Sequence, residues 1–379
     1  MPTYDVIVIG GGFHGLATAY QLSKAGVRTL LLEARDIGSG TSAACGGRAQ
    51  VCEGHLDDLN TRLIRDGLKR HATLQEELDS DYEWRWVALL LLLKDESMRK
   101  LWIERSSALT TAGIPTEIID PQSLQEAEPH LLTDGLIGAV HSVEGTLNPL
   151  KFAHAYARAA ARSGATIQGH SAVIGLEMQG RRVTGVRTAS ETYHAGSVAV
   201  MTGSWINEIT RMAGVEFPIR NTHAEAFITE RIPVMIHNNI GVADSYETIY
   251  GEAQAVALGI VPEPDGSLYL AEAVAQTEEL HARSTRWGIA AIARAVDQYY
   301  PFLRKVRVVR SWARPTSIFA DEEPMVGWAP QLENVFISTS LLETITVMPV
   351  LSEWMALLIQ GQTPPVNLAR YSPTRFVTA

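Results

Sequence analysis

The sequence has few of the residues that mark metal sites, disulfide frameworks or membrane anchors. Its 379 residues include only two cysteines, Cys45 and Cys52, and the 11 histidines show no metal-type spacing. This scarcity predicts no metal and no disulfide, and it favours a reducing, cytoplasmic location. The longest apolar run, Trp86–Leu93, has eight residues, whereas a membrane-spanning helix needs roughly 20. The N-terminus also lacks the basic region of a signal peptide.

Positive charge, and lysine above all, is scarce. The chain has 32 basic and 42 acidic residues, and its net charge of −10 makes nucleic acid a poor partner. Six of the basic residues are lysines, and none lies between Lys151 and Lys305. The apolar share of 46% is near the globular average. The length predicts two or three domains, or one large interleaved body.

The first forty residues predict a dinucleotide-binding βαβ unit. The β-branched run Asp5–Gly10 is typical of a buried parallel strand. A Gly-x-Gly-x-x-Gly motif over residues 10–15 follows, and a helix is predicted over 16–25. A second strand is predicted over 28–32, and it ends at Glu33. A lone glycine motif is weak evidence, but strand, glycines, helix, strand and terminal acid in this order are a strong signal.

Each residue of this motif has a predicted role. Gly10 permits the tight turn, Gly12 lets a pyrophosphate approach the backbone, and Gly15 lets the helix pack closely on the strand. The N–H groups at the start of the helix face the phosphates. Glu33 accepts a hydrogen bond from a ribose hydroxyl, and its charge disfavours the 2′-phosphate of NADP. His14 lies in the variable part of the turn and is predicted to be packed or solvent-facing rather than catalytic.

A stretch of small residues follows this unit. Residues 38–47 read Gly-Ser-Gly-Thr-Ser-Ala-Ala-Cys-Gly-Gly, and small side chains let backbone approach a flat ligand closely. At this position the stretch resembles the D-amino-acid-oxidase-like family of FAD enzymes, which includes glycine oxidase, sarcosine oxidase and bacterial proline dehydrogenase. In that family the stretch runs beneath the pyrophosphate and the isoalloxazine ring.

Further parts of the resemblance are spread over the chain. Residues 144–149 precede a predicted helix at about 150–163, and a β-rich unit over 165–201 ends in Thr202–Trp205. The resemblance implies that Val173 lies near the adenine and that the turn after the last strand approaches the dinucleotide.

Two segments, 46–51 and 147–149, look closest to the flavoprotein β-subunits of heteromeric bacterial dehydrogenases. Those include opine oxidases, proline dehydrogenase and the hydrogen cyanide synthase subunit. The resemblance therefore implies a small amino-acid or amine substrate and further subunits as partners. It implies neither nucleic acid binding nor insertion into a membrane.

The resemblance also implies an α/β fold. A Rossmann-like FAD-binding domain is interleaved with an α+β substrate domain that is built on a mostly antiparallel sheet. Segments near 1–80, 145–220 and 310–379 are predicted to form the FAD-binding domain. Segments near 81–144 and 221–309 are predicted to form the substrate domain.

One segment departs from the family pattern. The family usually has a glycine-rich turn before its last helix, where backbone N–H groups face the flavin N1–C2=O edge. The matching residues 338–349 contain no glycine, and bulkier side chains together with Glu343 are expected to crowd the ring. The closing amphipathic helix is predicted over 354–359.

The predicted cofactor is FAD, and the predicted cofactor-binding residues are Gly10, Gly12, Phe13, His14, Gly15, Glu33, Ala34, Arg35, Gly40, Thr41, Ser42, Gly46, Gly47, Arg48, Val173, Thr202, Gly203, Trp205, Leu342, Thr344 and Thr346.

Four residues are predicted to be catalytic, in the sense that they contact the substrate. Arg48 pairs either with a substrate carboxylate or with the flavin pyrimidine edge, and the alternative is a surface salt bridge. Arg314 lies in the segment 310–315, which resembles a Trp–Arg–Pro segment that often supplies a carboxylate-binding arginine, although its spacing is compressed. Tyr246 and Tyr250 line the substrate pocket, unless they serve only in sheet packing.

Flavin enzymes of this class remove a hydride from the carbon next to an amine, and water hydrolyses the resulting imine. The substrate amine first loses a proton, a step that needs no strong base in a fixed motif. The sequence therefore predicts an FAD-dependent amino acid or amine dehydrogenase or oxidase. The lack of lysine between residues 151 and 305 favours a dehydrogenase that passes electrons to another subunit, a quinone or a dye-like acceptor.

Two other functions compete with this one. The glycine-free segment 338–349 motivates a non-catalytic or degenerate assembly subunit with the flavin fold. An NAD-dependent dehydrogenase leaves the small-residue stretch 38–47 unexplained. The substrate stays open among glycine, sarcosine, proline, hydroxyproline, an opine and a D-amino acid.

Overall fold

The chain folds into two β-sheets with helices packed against them, as seen in a computed structural model. The structure describes residues 3–52, 56–245, 247, 249, 253–277, 279, 280, 283–341 and 343–376. The described strands are β1 (Thr3–Ile9), β2 (Thr29–Leu32), β3 (Arg48–Ala49), β4 (Arg85–Leu93), β5 (Thr116–Ile119), β6 (Gly138–Thr146), β7 (Thr166–Gln168), β8 (Gly175–Gln179), β9 (Arg182–Arg187), β10 (Thr192–Val200), β11 (Arg220–Thr229), β12 (Asn239–Val242), β13 (Gln254–Pro262), β14 (Leu268–Thr277), β15 (Val308–Ile318), β16 (Met325–Trp328) and β17 (Val335–Thr339). The described α-helices are α1 (Phe13–Lys24), α2 (Thr41–Ala44), α3 (Asp58–Glu77), α4 (Glu96–Thr111), α5 (Pro121–Ala127), α6 (Pro149–Arg162), α7 (Ile206–Thr210), α8 (Arg286–Tyr299) and α9 (Thr344–Ile359).

The eight-stranded sheet is built around β1. This strand pairs in parallel with β2 on one side and with β10 on the other, and β7 and β17 extend the parallel core. Its central residues Val6–Ile9 are buried on both faces, as is typical of a parallel strand covered by helices. The carboxyl ends of β17, β10, β1 and β2 therefore meet at one edge of the sheet, which is where open α/β sheets bind ligands.

The turn between β1 and α1 brings two stretches of backbone into close contact. A Cβ atom at Gly15 would lie 1.9 Å from the carbonyl oxygen of Gly10. Gly10 itself has a φ of +113°, and a Cβ there would lie 2.4 Å from the carbonyl oxygen of Met201. Only glycine fits these two positions, and the N-terminus of α1 is consequently held at the ligand-binding edge of the sheet.

The nine-stranded sheet runs in the order β15-β11-β14-β13-β12-β4-β6-β3, and β5 attaches to β6. Its pairs are antiparallel except for the parallel pair β12–β4. Helix α8 covers one face, where Leu268 and Leu270 are buried against Ile292. Tyr269 and Ala271 point to the opposite face, as expected from the alternation of side chains along a strand.

These observations confirm the predicted fold class, since a Rossmann-like parallel sheet is interleaved with a mostly antiparallel one. The domain boundaries remain a prediction. Strand β15 pairs with the nine-stranded sheet, although most of its residues fall in the segment 310–379 predicted for the cofactor domain.

Two predicted element boundaries are corrected. The closing helix begins at Thr344 and not near residue 354. Its first half is buried almost throughout and includes Pro349, so it shows no amphipathic period in the sequence. Within the β-rich unit predicted over 165–201, residues 169–174 form no strand and β8 begins only at Gly175. Among the helices that the structure describes, none combines the length and the apolar composition that a membrane crossing requires.

Candidate active site

A cavity of about 600 Å³ lies between the ligand-binding edge of the eight-stranded sheet and the uncovered face of the nine-stranded sheet. At one end it is lined by the turn Gly10–His14 and by the small-residue stretch from Gly40. At the other end it is lined by the face of β13 and β14 and by Arg314. One cavity therefore joins the predicted nucleotide-binding motif to the predicted substrate residues.

The N-terminus of α1 presents free backbone donors to the cavity. Its N-cap is Gly12, which has no side chain to cap the helix. The N–H of Phe13 donates to Ser42 Oγ at 3.0 Å, and a Cβ at Gly12 would lie 2.9 Å from the same oxygen. Uncapped N–H groups and the positive end of the helix dipole suit an anion such as a pyrophosphate.

Glu33 lies where β2 ends and organises the neighbouring backbone. Its carboxylate accepts hydrogen bonds from the N–H of Gly11 at 2.7 Å and from the N–H of Arg35 at 2.8 Å. The Arg35 guanidinium stacks 5.1 Å from the ring of Trp205. This arrangement fixes an acid, a cation and an aromatic ring at the far end of the cavity, where a nucleoside would fit.

Two buried hydroxyls along the cavity lack partners. Within the described part of the chain, Thr202 Oγ1 and Ser204 Oγ make no hydrogen bond, although both residues line the cavity. Unsatisfied buried polar atoms are costly, so such atoms at a cavity wall are typical of a ligand-binding site. Together with the uncapped helix and Glu33, these hydroxyls fit the phosphates and ribose of a dinucleotide.

The glycine-free segment 338–349, which begins in the last two residues of β17, reaches the same cavity with the hydroxyl side chains of Thr339, Ser340 and Thr344. Ser338 Oγ lies 2.7 Å from His14 Nδ1, and Ser340 Oγ donates to Ser317 Oγ at 3.1 Å. Ser340 has a φ of +61°, the left-handed region that favours glycine. Burial lowers the pKa of His14 to about 4, so this imidazole is neutral at physiological pH. Glu343, which was expected to crowd the ring, is not among the residues that line the cavity.

Arg48 lines the cavity, and its guanidinium is paired with the carboxylate of Glu144, which lies on the side away from the cavity. Its Nε donates to Glu144 Oε1 at 2.6 Å and its Nη2 to Glu144 Oε2 at 3.0 Å. Glu144 is fully buried and also accepts from Asn239 Nδ2 at 2.6 Å. This carboxylate is therefore enclosed between β3, β6 and β12 and takes no part in the cavity surface.

Arg314 lies on the opposite side and bonds to Glu272, which also lines the cavity. Burial opposes the charge of Arg314, but the carboxylate of Glu272 and the phenol of Tyr269 raise its pKa above the ordinary value. Burial raises the pKa of Tyr269 to about 12. A Cβ at Gly46 would lie 2.6 Å from the Tyr269 ring, so this tyrosine packs directly on the small-residue stretch.

The structure brings most of the predicted cofactor-binding residues together, and their roles remain predictions. Among those that the structure describes, all line the cavity except Gly15 and Thr346. Gly15 packs beneath the turn, Thr346 Oγ1 donates to the Gln50 carbonyl oxygen at 2.7 Å, and Leu342 lies outside the described residues.

Of the predicted substrate residues, Arg48 and Arg314 line the cavity. Tyr246 and Tyr250 lie outside the described residues.

Sequence reasoning missed Tyr269 and Glu272 as cavity residues. In a regular strand, positions 269 and 272 would face opposite sides, so no pattern places both in one site. It also left out Gly11, although a Cβ there would lie 2.8 Å from Glu33 Cβ, and the three consecutive glycines were a usable signal.

Comparison with known proteins agrees with this geometry. The family described as "DAO: FAD dependent oxidoreductase" matches residues 5–358. The hydrogen cyanide synthase subunit HcnC of Pseudomonas aeruginosa is 22% identical over 99% of this chain and 96% of that protein. Sarcosine oxidase subunit beta of an Arthrobacter species is 25% identical over 89% of this chain and 82% of that protein.

A solved structure shows the same fold. L-proline dehydrogenase from P. horikoshii superposes with a TM-score of 0.89 at 24% sequence identity, over 99% of this chain and 98% of that one. The resemblance drawn from the motifs is confirmed, as are the prediction of an enzyme and the prediction of its cofactor. The chain belongs to the FAD-dependent oxidoreductase family, and it binds FAD.

Proposed function

We propose that this chain oxidises the C–N bond of a small amino acid or secondary amine of the opine, proline, glycine or sarcosine type. Bound FAD would supply the hydride acceptor, its N5, for the carbon next to the nitrogen, after the substrate amine has lost a proton. Water then hydrolyses the imine to a carbonyl compound and an amine. Two of the similar proteins support this substrate class, because their names specify sarcosine and L-proline.

The observation that carries the proposal is the single cavity that joins the cofactor motif to paired charged groups on the sheet. Gly46 and Gly47 lie where the two parts meet, and Tyr269 packs against the first of them. Charged groups next to a glycine-lined surface can orient a small polar substrate over a flat ring. A site that only stored the cofactor would need neither the arginine nor the carboxylate there.

The chain's own residues bind and orient the substrate. Arg314 is held by Glu272, and its weak 3.5 Å contact with the Ala44 carbonyl oxygen places it beside the small-residue stretch. Apolar residues of β13 and β14, including Val261 and Ala271, line the floor and exclude water.

We infer that the chain works as the flavoprotein β-subunit of a heteromeric dehydrogenase in the cytoplasm. Two of the similar proteins are named as subunits, which supports the existence of partner chains. The lysine-free interval between Lys151 and Lys305 supports an acceptor other than oxygen. The alternative is a degenerate assembly subunit, and it is favoured by Ser340, which holds a left-handed conformation where the family usually has glycine.

Anaerobic reduction of the bound flavin tests the proposal. The purified, FAD-loaded protein is mixed without oxygen with glycine, sarcosine, both enantiomers of proline, hydroxyproline and an opine. We expect at least one of them to bleach the flavin spectrum. An Arg314→Gln variant should bleach at least about tenfold more slowly with the same flavin content, because a charge-assisted hydrogen bond is lost. A yellow protein that none of these amines reduces, even with co-purified partners, contradicts the proposal and favours the assembly subunit.

A further inference from the structure

Glu272 owes its position in the cavity to an irregularity in β14. Along the pairing of β11 with β14, Glu225 lies opposite Ala273 and the next residue, Ala226, lies opposite Ala271. Glu272 is therefore left without a counterpart, as the extra residue of a β-bulge. Bulges occur next to active sites because they redirect a side chain.

The two faces of β14 show this redirection directly. Before the bulge, Leu268 and Leu270 face the core under α8, whereas Tyr269 and Ala271 face the cavity. After the bulge the order is reversed, since Ala273 faces the core. In a regular strand Glu272 would point into the apolar core with Leu270; the bulge turns its carboxylate into the cavity instead.

The carboxylate is only partly engaged by Arg314. Its Oε2 bonds to Arg314 Nη2, and its Oε1 makes no hydrogen bond to any of the described residues. The Glu272 side chain keeps 20% of its surface exposed, whereas the Glu144 side chain behind Arg48 keeps none. One oxygen of Glu272 is therefore available to a ligand in the cavity.

Among the described residues, each arginine at this end of the cavity is paired with a carboxylate before any substrate enters. Arg48 is matched by Glu144, and Arg314 is matched by Glu272. A lone carboxylate that approached Arg314 would meet the negative charge of Glu272, and a lone amine would meet the positive charge of Arg314. A molecule that carries both groups satisfies both residues and adds no net charge to a partly buried site.

The rest of the substrate end carries no further charged side chain among the described residues. The apolar part of its lining consists of Leu91, Ala257, Leu258, Val261, Ala271 and Val274, and the same cavity is also lined by the phenol of Tyr269 and by the hydroxyl-bearing residues Thr222, Ser245 and Thr316. Arg48 and Arg314 are each already bonded to a carboxylate, so a second carboxylate on the substrate would be desolvated there without a matching positive charge.

We infer that Glu272 is a specificity-determining residue that binds the ammonium group of a zwitterionic amino acid, whose carboxylate lies on Arg314 and whose remaining substituent carries no second carboxylate. This inference rests on the proposed function and narrows it. It selects amino acids of the proline or N-alkyl type over opines, because an opine carries an additional carboxylate.

Binding of matched ligands to the FAD-loaded protein tests the inference. Isothermal titration compares each enantiomer of proline with cyclopentanecarboxylate, which lacks the amine, and with pyrrolidine, which lacks the carboxylate. Leucine, 4-methylpentanoate and 3-methylbutylamine form a second set of the same design. Iminodiacetate serves as the dicarboxylate. We expect one zwitterion to bind at least about tenfold more tightly than either of its halves and than iminodiacetate.

The Glu272→Gln variant should change the two halves in opposite directions. The amine should bind about tenfold more weakly because its anionic partner is lost. The carboxylate should bind several-fold more tightly because Arg314 is freed from competition. If Glu272 only held Arg314 in place, both halves would bind more weakly, and that result overturns the inference. Equal binding of zwitterion and halves by the unmodified protein overturns it as well.

Two controls keep these outcomes interpretable. Glu117→Gln removes a carboxylate whose side chain is 69% exposed on β5, and it should leave every affinity unchanged. Flavin content and thermal midpoint confirm that Glu272→Gln is folded, and Glu272→Asp should retain the preference for the zwitterion. Flavin bleaching tests the proposed function separately. If an amine bleaches the flavin but Glu272→Gln does not weaken amine binding and strengthen carboxylate binding, only the role of Glu272 is refuted. If Glu272→Gln changes both affinities in this way but no amine bleaches the flavin, only the oxidation is refuted.

Discussion

The two ends of the cavity are built in different ways. The cofactor end consists mainly of backbone, with Gly10, Gly12 and Gly15 allowing strand, turn and helix to approach one another. The substrate end consists of side chains from strands far apart in the chain, such as Glu272 on β14 and Arg314 on β15. A backbone cradle tolerates few substitutions because each added atom meets main chain, whereas a side-chain surface can change its ligand while the fold persists.

The two arginine–carboxylate pairs repeat this contrast within the substrate end. Arg48 and Glu144 are 12% and 0% exposed, and the carboxylate is shared with Asn239. Arg314 and Glu272 are 13% and 20% exposed, and one carboxylate oxygen faces the cavity. We therefore expect the first pair to act mainly on stability and the second mainly on ligand binding.

The largest effect should come from breaking the backbone cradle with Gly15→Ala. The new Cβ would lie 1.9 Å from the Gly10 carbonyl oxygen, and neither backbone segment can withdraw. We expect a loss of at least about 3 kcal/mol of folding free energy and a protein purified without FAD. Urea unfolding and the flavin spectrum measure both. Gly26→Ala, with a φ of +80° and no atom within 4 Å of the new Cβ, should cost only about 1 kcal/mol and keep the flavin; equal losses in both variants would contradict the role of close packing.

The expected difference between the two arginine–carboxylate pairs in their effect on stability can be tested with Glu144→Gln. Glu144→Gln removes one partner of a buried ion pair and leaves Arg48 without its Glu144 carboxylate, so the free energy of unfolding should fall by about 3 kcal/mol. Urea unfolding of Glu144→Gln and Glu272→Gln side by side is the measurement. Comparable destabilisation by both variants would show that the two arginine–carboxylate pairs contribute equally to folding stability. The exposed Glu117→Gln should change stability by less than about 0.5 kcal/mol.

The stability of the region where the two ends of the cavity meet should depend on pH. His71 Nε2 donates to the Ile345 carbonyl oxygen at 2.8 Å, next to the cavity, and the ring stacks 4.1 Å from Trp84. Burial lowers the pKa of His71 to about 4, the hydrogen bond that its ring donates to the Ile345 carbonyl oxygen opposes this shift, and the charge of Arg70 adds to it. The folded protein therefore binds this proton less readily than the unfolded chain does.

Stability linked to His71 is present above about pH 6.5 and is lost as the pH falls towards 4. Between pH 7 and pH 5 the loss is about 2 kcal/mol. In His71→Gln the difference in unfolding free energy between these pH values should shrink by that amount. Urea titrations at both pH values measure it, and an unchanged difference would show that His71 does not titrate in this way.

The polar contacts of the cofactor end should matter less than its glycines. Glu33→Gln replaces the charged acceptor of the Gly11 and Arg35 N–H groups. We expect FAD to bind about tenfold more weakly, because hydrogen bonds to a charged group are weakened. Fluorescence titration of the apoprotein with FAD gives the affinity. Asp36→Asn alters a carboxylate that is 80% exposed and should leave the affinity within about twofold; a similar loss there would point to general electrostatics instead.

The smallest effect should come from Ser340. Its φ of +61° costs a residue with a Cβ more than it costs glycine. Ser340→Gly should raise stability by up to about 1 kcal/mol, less the value of its bond to Ser317. Ser340→Ala loses the bond without relieving the backbone and should lower the thermal midpoint. A lower midpoint for both variants would mean that the hydroxyl contact outweighs the backbone conformation.

The sequence predicted the cofactor end well because its determinants are local. Strand, glycines, helix and terminal acid lie within forty residues, and each glycine answers a steric requirement of its immediate neighbours. Arg48 and Arg314 were also identified, but only through the family resemblance. The buried first half of α9 was missed because a helix covered on all sides has no amphipathic period.

The sequence by itself determined the βαβ unit, and through its resemblance to a known family it predicted FAD and the two arginines that line the cavity. Only the tertiary structure decided which carboxylate pairs with each arginine. It also decided that the Glu144 carboxylate is enclosed, whereas the Glu272 carboxylate faces the cavity, where a ligand can contact it. The reason is physical: the orientation of Glu272 depends on a bulge that exists only when β14 pairs with β11, and such long-range register leaves no periodic signal in the chain.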